Sequence, residues 1–202
     1  MIIRSHGRTC YSIQSAQSLV LLGLPTEAPM SALKGNDYTA VVVSSAKDAE
    51  KAVASFPKAF IIASPGEYNI SDCFVYGVAH NSDMLYSVAF TDDLAVGYVA
   101  CDGHKEFAEG LIELLGSIDI LMVFIDDKHG VSPDTAETIV GQIEPSFVLP
   151  MYDEQSAQHE ELLNMFYKNL GQEKPKAETE LKLKPGQLSG EVLEVGLLKP
   201  LE

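Results

Sequence analysis

Apolar and polar residues fall along this chain in short runs whose period changes several times. Thr39 to Val43 is an apolar, β-branched run, the pattern of a strand covered on both faces. Ser44 and Ser45 follow with N-cap oxygens, and Ala46 to Ala54 holds good helix formers without Gly or Pro. The segment reads as strand, tight turn, helix. In α/β sheets, ligands sit at the mouth of such a turn, at the carboxyl end of the strand.

The flanking pattern extends this plan. Met1 to Arg4 is short and apolar, and Arg8 to Gln14 and Ser18 to Leu24 are strand-like around a turn at Gln14 to Gln17, which suggests a hairpin. Pro25, Pro29 and Gly35 mark a loop. Phe56-Pro57 closes the helix, and Ala59 to Ala63 reads as a second buried strand. After the Ser64-Pro65-Gly66 turn, Tyr68 to Ile70, Cys73 to Ala79, Met84 to Phe90 and Leu94 to Ala100 read as a meander. Helical spacing then appears at Phe107, Leu111, Leu114 and Leu115, stopped by Gly116. Ile118 to Ile125 is a buried strand, Ser132-Pro133 opens a helix in cap-then-proline order, and Ser146 to Met151 is another buried strand. Leu162, Leu163, Phe166, Tyr167 and Leu170 mark an amphipathic helix ending at Gly171. Residues 172–190 are polar and read as a surface connection, with 191–198 as an edge strand.

Two passes of meander followed by strand–helix units predict two packed sheets with helices on both outer faces. No close sequence repeat marks the two halves. A length of 202 residues suits one domain, 1–202, able to bury roughly 70% of the surface its unfolded chain exposes.

Charge narrows the range of partners. A formal net charge of -15 repels polyanions, so no nucleic-acid or membrane partner is expected. Cys10, Cys73 and Cys101 are dispersed, with no CxxC pair, which argues for reduced, buried thiols and a cytoplasmic location. No signal peptide or membrane span is readable. GxSxG, Cys–His and phosphate-binding Gly-rich motifs are also missing.

Three phrases, Ile61-Ile62-Ala63-Ser64-Pro65-Gly66-Glu67-Tyr68, Ile118-Asp119-Ile120-Leu121-Met122-Val123, and Gln142 to Met151 (QIEPSFVLPM), resemble the metallo-β-lactamase-fold superfamily. Gly7-Arg8-Thr9-Cys10-Tyr11-Ser12-Ile13 is similar to that family's early G-H-S-C-F-x-I strand. The branch resembled is the small bacterial Zn-dependent hydrolases similar to ascorbate-phosphate lactonase, over nearly the whole chain. The resemblance implies an α+β fold, a four-layer αββα sandwich of two β–α halves, with a metal site at the seam between the sheets.

The ligand positions of that family are not kept. Its S-H-x-H-x-D-H motif meets Ser44, then Ser45 and Lys47 for the first two histidines, then Ala49 and Glu50 for Asp and the last His. Val99 stands for another histidine, Tyr152 for the last one, Arg8 for an early one and Leu24 for an Asp; Asp102 alone is retained. A zinc site needs several N, S or O donors converging on one point, and Lys47 would put a cation there instead. The resemblance therefore implies a non-catalytic, metal-free pseudoenzyme acting as a binding or assembly module, with no cofactor. Arg8, Ser45, Lys47, Ala49, Glu50, Asp102 and Tyr152 would line a vestigial pocket, and Lys47 and Arg8 could hold a small anion. A protein partner or self-association is the other expectation, including pairing with an intact relative.

The alternative is a divergent hydrolase holding zinc or another divalent metal through Glu50, His80 and Asp102, with Tyr152 nearby. His80 is expected on a loop after its strand, Asp102 and His104 between a strand and a helix, where Asp102 is equally a cap. Asp126, Asp127, His129 and Asp134 offer oxygen and imidazole donors in principle, but a solvated acidic loop is the reading the sequence favours. Glu67 is expected to shape a turn.

Overall fold

The computed structural model describes residues 1–25, 30, 33, 35–80, 83–90, 94–100, 115–184, 186–188, 190 and 192–201. In chain order the described elements are β1 (Ile2–Ser5), β2 (Tyr11–Gln14), β3 (Leu19–Leu22), β4 (Ala40–Val42), α1 (Ala46–Ser55), β5 (Phe60–Ile62), β6 (Gly66–Ile70), β7 (Cys73–His80) and β8 (Asp83–Phe90). They continue as β9 (Ala95–Val99), β10 (Ile120–Phe124), α2 (Pro133–Ile143), β11 (Phe147–Met151), α3 (His159–Asn169), β12 (Leu181–Lys182) and β13 (Glu194–Val195). The helix expected around Phe107 to Gly116 falls mostly outside the described residues.

Two sheets result. One runs β12-β1-β2-β3-β4-β5 and the other β13-β11-β10-β9-β8-β7-β6. Antiparallel hairpins start each sheet, and parallel pairs follow wherever a crossover intervenes: β3–β4–β5, and β9–β10–β11–β13. Strand alternation then sorts side chains between layers. In β10, Ile120, Met122 and Phe124 enter the core between the sheets, while Leu121 and Val123 join the layer containing α2 and α3. In β4, Val42 faces the inter-sheet core and Val41 packs with Ala52 and Phe56 of α1. Strands covered on both faces need no polar alternation, which is why these runs are continuously apolar. The architecture is a metallo-β-lactamase-like αββα sandwich.

Local chemistry sets the helix starts. Ser45 has extended backbone and accepts a hydrogen bond from the Asp48 N–H, and Ser132 does the same for Thr135 with Pro133 in the first turn. Burying apolar side chains on one face of each helix then supplies roughly 25 cal/mol per Å2 covered.

Three expectations change in detail. Among the described residues β5 is an edge strand paired only with β4, so it is only partly buried: Ile62 lies in the core, while Phe60 is 50% exposed and packs on Tyr68 at 6.1 Å between ring centroids. The β7–β8 ladder extends one pair further than expected, to His80↔Asp83, which puts the His80 backbone in a strand rather than a loop. Its side chain lies outside the described part. The 172–190 stretch supplies β12 on the free edge of β1 and buries Leu183.

Candidate functional site

Parallel strands place their carboxyl ends on one rim. A cavity of about 410 Å3 opens there, between the ends of β3, β4, β9 and β10 and the β1–β2 loop. Among the described residues its charged and imidazole lining is Arg8, Asp48, Lys51 and His129; Ser44, Ser45 and Thr9 add hydroxyls. Leu24, Pro25, Val43, Ala100 and Phe124 give it an apolar side.

The phase of α1 decides which of its residues take part. With Ser45 at the cap, positions three apart share a face, so Ser45, Asp48 and Lys51 look into the cavity. Ser45 Oγ donates to Asp48 Oδ2 at 2.9 Å, and Lys51 Nζ donates to Asp48 Oδ1 at 3.0 Å. Lys47 and Glu50 sit on another face of the same helix and are exposed. The expected grouping of Lys47 and Glu50 with Tyr152 is thereby corrected: a helix that begins directly after Ser45 turns both away. Ala49 packs against the core under α1 rather than lining the cavity.

Arg8 enters from the β1–β2 loop in a left-handed conformation, φ 49, directly after Gly7 at φ 97. Its guanidinium lies 5.3 Å from the Phe124 ring centroid, and its Nε stands 4.0 Å from Asp153 Oδ2. Tyr152 does not line the cavity. It is 7% exposed, stacks on His159 with centroids 5.7 Å apart, and pairs with Arg8 through the main chain. Burial pushes its phenol up to about 12.

Two buried tyrosines of the second sheet brace these loops. Tyr98 donates to Thr9 O at 2.7 Å and Tyr86 to Val43 O at 2.8 Å. Burial raises both phenol pKa values, so each hydroxyl keeps its proton for donation. Gly23 must pass beneath them: a Cβ there would stand 2.7 Å from Thr9 O and 2.8 Å from Tyr98 Oη.

His129 reaches the cavity because Asp126 builds its loop, accepting from the N–H groups of Lys128 at 2.9 Å and His129 at 2.8 Å. Asp126 is buried at 8% exposure, which corrects the reading of a wholly solvated acidic loop. Asp134 accepts from Asn169 at 2.8 Å instead of joining a metal cluster. Among the described residues no group of three or more His, Cys, Asp or Glu converges. Glu67 lies in β6, in the ladder with Tyr76, rather than in a turn. Cys10 and Cys73 are free and buried; burial raises both thiols, Cys73 to about 12. Asp102, His104 and Cys101 lie outside the described residues.

Zinc in such a cavity would need at least three protein donors plus an open position. The described lining offers one carboxylate, already held by Ser45 and Lys51, one imidazole, and two cations. These residues do not fit the metal. Asp48, Lys51 and Tyr98 were not recognised from sequence; the three-residue spacing Ser45–Asp48–Lys51 was the available signal for the first two.

The chain belongs to the family described as the beta-lactamase superfamily domain, which matches residues 2–152. Among solved structures it is similar to a Thermotoga maritima protein assigned to the Zn-dependent hydrolases of the metallo-β-lactamase superfamily: 16% identity, 98% of each chain covered, TM-score 0.75. It is also similar to Igni18, a metallo hydrolase from Ignicoccus hospitalis, at 12% identity over 91% of this chain and 99% of that one, TM-score 0.65. A third is YhfI, a metallo-β-lactamase-fold protein from Bacillus subtilis, at 10% identity over 89% and 97%, TM-score 0.63. Identities this low establish the fold. No curated protein sequence matches the chain. These comparisons do not single out the ascorbate-phosphate lactonase branch.

Proposed function

We propose that this chain is a metal-free, non-catalytic member of the superfamily whose seam cavity binds a small anion. The observation that carries the reading is that Arg8 and Lys51 line the cavity where the fold's metal chemistry would sit. Two cations line it beside one carboxylate, with Asp153 outside it 4.0 Å from Arg8, so the described lining itself carries an excess of positive charge on a protein of net charge -15. A concave site of that sign concentrates anions. The rest of the acidic surface disfavours nucleic acid and anionic membranes, and buried free thiols suit a reducing cytoplasm. A protein partner or self-association would make the site part of an assembly.

The names of the relatives favour a second reading, a metal-dependent hydrolase. Asp48 and His129 share the cavity and would be its ligands among the described residues; Asp102 would have to complete the set. Elemental analysis of tag-free protein expressed with zinc, manganese and iron separates the two. Negligible metal, with anion binding that disappears in the Lys51→Met variant, is the expected result. About one equivalent of metal, retained on dialysis and lost on Asp48→Ala, would overturn the metal-free reading and favour the second.

A further inference from the structure

Resting on that anion-binding reading, we propose that the ligand is a small organic monocarboxylate and that Asp48 sets the preference for a single negative charge. Asp48 is not free to swing away. Its Oδ2 receives the Ser45 hydroxyl and its backbone N–H donates to the same Ser45 oxygen, so the carboxylate is part of the α1 cap. Its other oxygen holds Lys51 Nζ at 3.0 Å. Any ligand therefore meets a fixed negative group beside the lysine. Outside the cavity, Asp153 approaches Arg8 Nε at 4.0 Å and offsets part of the second cation.

A monoanion entering this set is matched by what remains of Arg8 and Lys51. A phosphate or sulfate dianion places its second charge against Asp48, and like charges at close range oppose binding. Arg8 also has the right shape: a planar guanidinium held over an aromatic ring recognises a planar carboxylate through paired N–H groups. The apolar part of the lining argues for an organic body rather than an inorganic ion, because Leu24, Pro25 and Ala100 offer it apolar contact. A volume of about 410 Å3 falls in the range of small-molecule pockets.

The test is calorimetric and NMR titration of the full chain with acetate, benzoate and inorganic phosphate at constant ionic strength. The variants are Arg8→Asn, which tolerates the left-handed backbone, Lys51→Met, and the isosteric Asp48→Asn, each first checked for native thermal unfolding. Benzoate should bind the parent more tightly than acetate or phosphate, and lose about tenfold or more in the Arg8 and Lys51 variants. Asp48→Asn should raise phosphate affinity about tenfold relative to benzoate. Phosphate binding more tightly than benzoate to the parent, still dependent on Arg8 and Lys51, would overturn the monocarboxylate inference and leave the anion site standing. Unchanged selectivity in Asp48→Asn would overturn the role given to that residue. No binding of any of the three probes would overturn both the inference and the anion reading beneath it.

Discussion

Arg8 and Tyr152 pair main chain to main chain across the seam, joining the β1–β2 loop of one sheet to the end of β11 in the other. The bridge explains why a non-glycine residue tolerates φ 49: the neighbouring sheet holds it there while its side chain is delivered over Phe124. Arg8→Ala and Arg8→Gly both delete the guanidinium, but only glycine relieves the backbone. The glycine variant should be the more stable of the two by about 1 kcal/mol in urea denaturation, with anion binding lost equally in both. Equal stabilities would mean that residue 8 is not left-handed in solution.

Tyr86 and Tyr98 tie the cavity loops to the second sheet through single hydrogen bonds to backbone oxygens. Each Tyr→Phe change keeps the ring and leaves a carbonyl short of a donor, buried at Val43 and half-buried at Thr9. A loss of about 1–2 kcal/mol is expected for each, measured by equilibrium unfolding. Gly23→Ala should be worse than either, because its Cβ collides with the very pair that Tyr98 and Thr9 form and φ is +67. About 2–3 kcal/mol is the expected cost, and a neutral outcome would show that the loop has room to move.

At the opposite end of β3, Asp72 in the β6–β7 turn accepts hydrogen bonds from Ser15 and Ser18 in the β2–β3 turn, clasping the two sheets. Burial pushes the Asp72 carboxyl up, but the Ser18, Ser15 and backbone donors outweigh it and hold its pKa below the usual carboxylate value. The folded pKa being the lower one, this contribution is complete above the unfolded value of about 4 and fades as pH falls through the folded one. Asp72→Asn should therefore be destabilised at neutral pH, with its deficit against the parent shrinking in acid. Thermal unfolding across pH 7 down to about 2.5 would show it; a deficit independent of pH would remove the carboxylate from the account.

Continuous apolar runs such as Ile120 to Phe124 made the doubly covered strands readable, because burial on both faces removes any need for polar alternation. Ser45 and Ser132 were readable as caps for an equally local reason. Edges were not: nothing in Ala59 to Ala63 says that β5 has one neighbour, since that depends on which strands the remote chain supplies. The inward face of α1 was also hidden. Matching this stretch to a family motif carried over the motif's register, whereas the cap at Ser45 sets the helix phase and brings Asp48 and Lys51 inward in place of Lys47 and Glu50. His129 was visible as a residue type, but its route to the cavity runs through the Asp126 turn, a tertiary fact.

That phase leads to a final prediction. Writing histidines and an aspartate back at the family-matched positions, as Ser45→His, Lys47→His, Ala49→Asp and Glu50→His, would rebuild a zinc site if those positions converged. In this structure they do not: Lys47 and Glu50 face solvent, Ala49 packs under the helix, and Ser45 is the cap whose loss would fray the first turn. The fourfold variant should gain no more zinc than scattered surface histidines provide, and should lose about 1 kcal/mol or more through the missing cap. Stoichiometric, dialysis-resistant zinc in that variant would instead require α1 to start later in solution, with residues 45–50 unwound into a ligand loop.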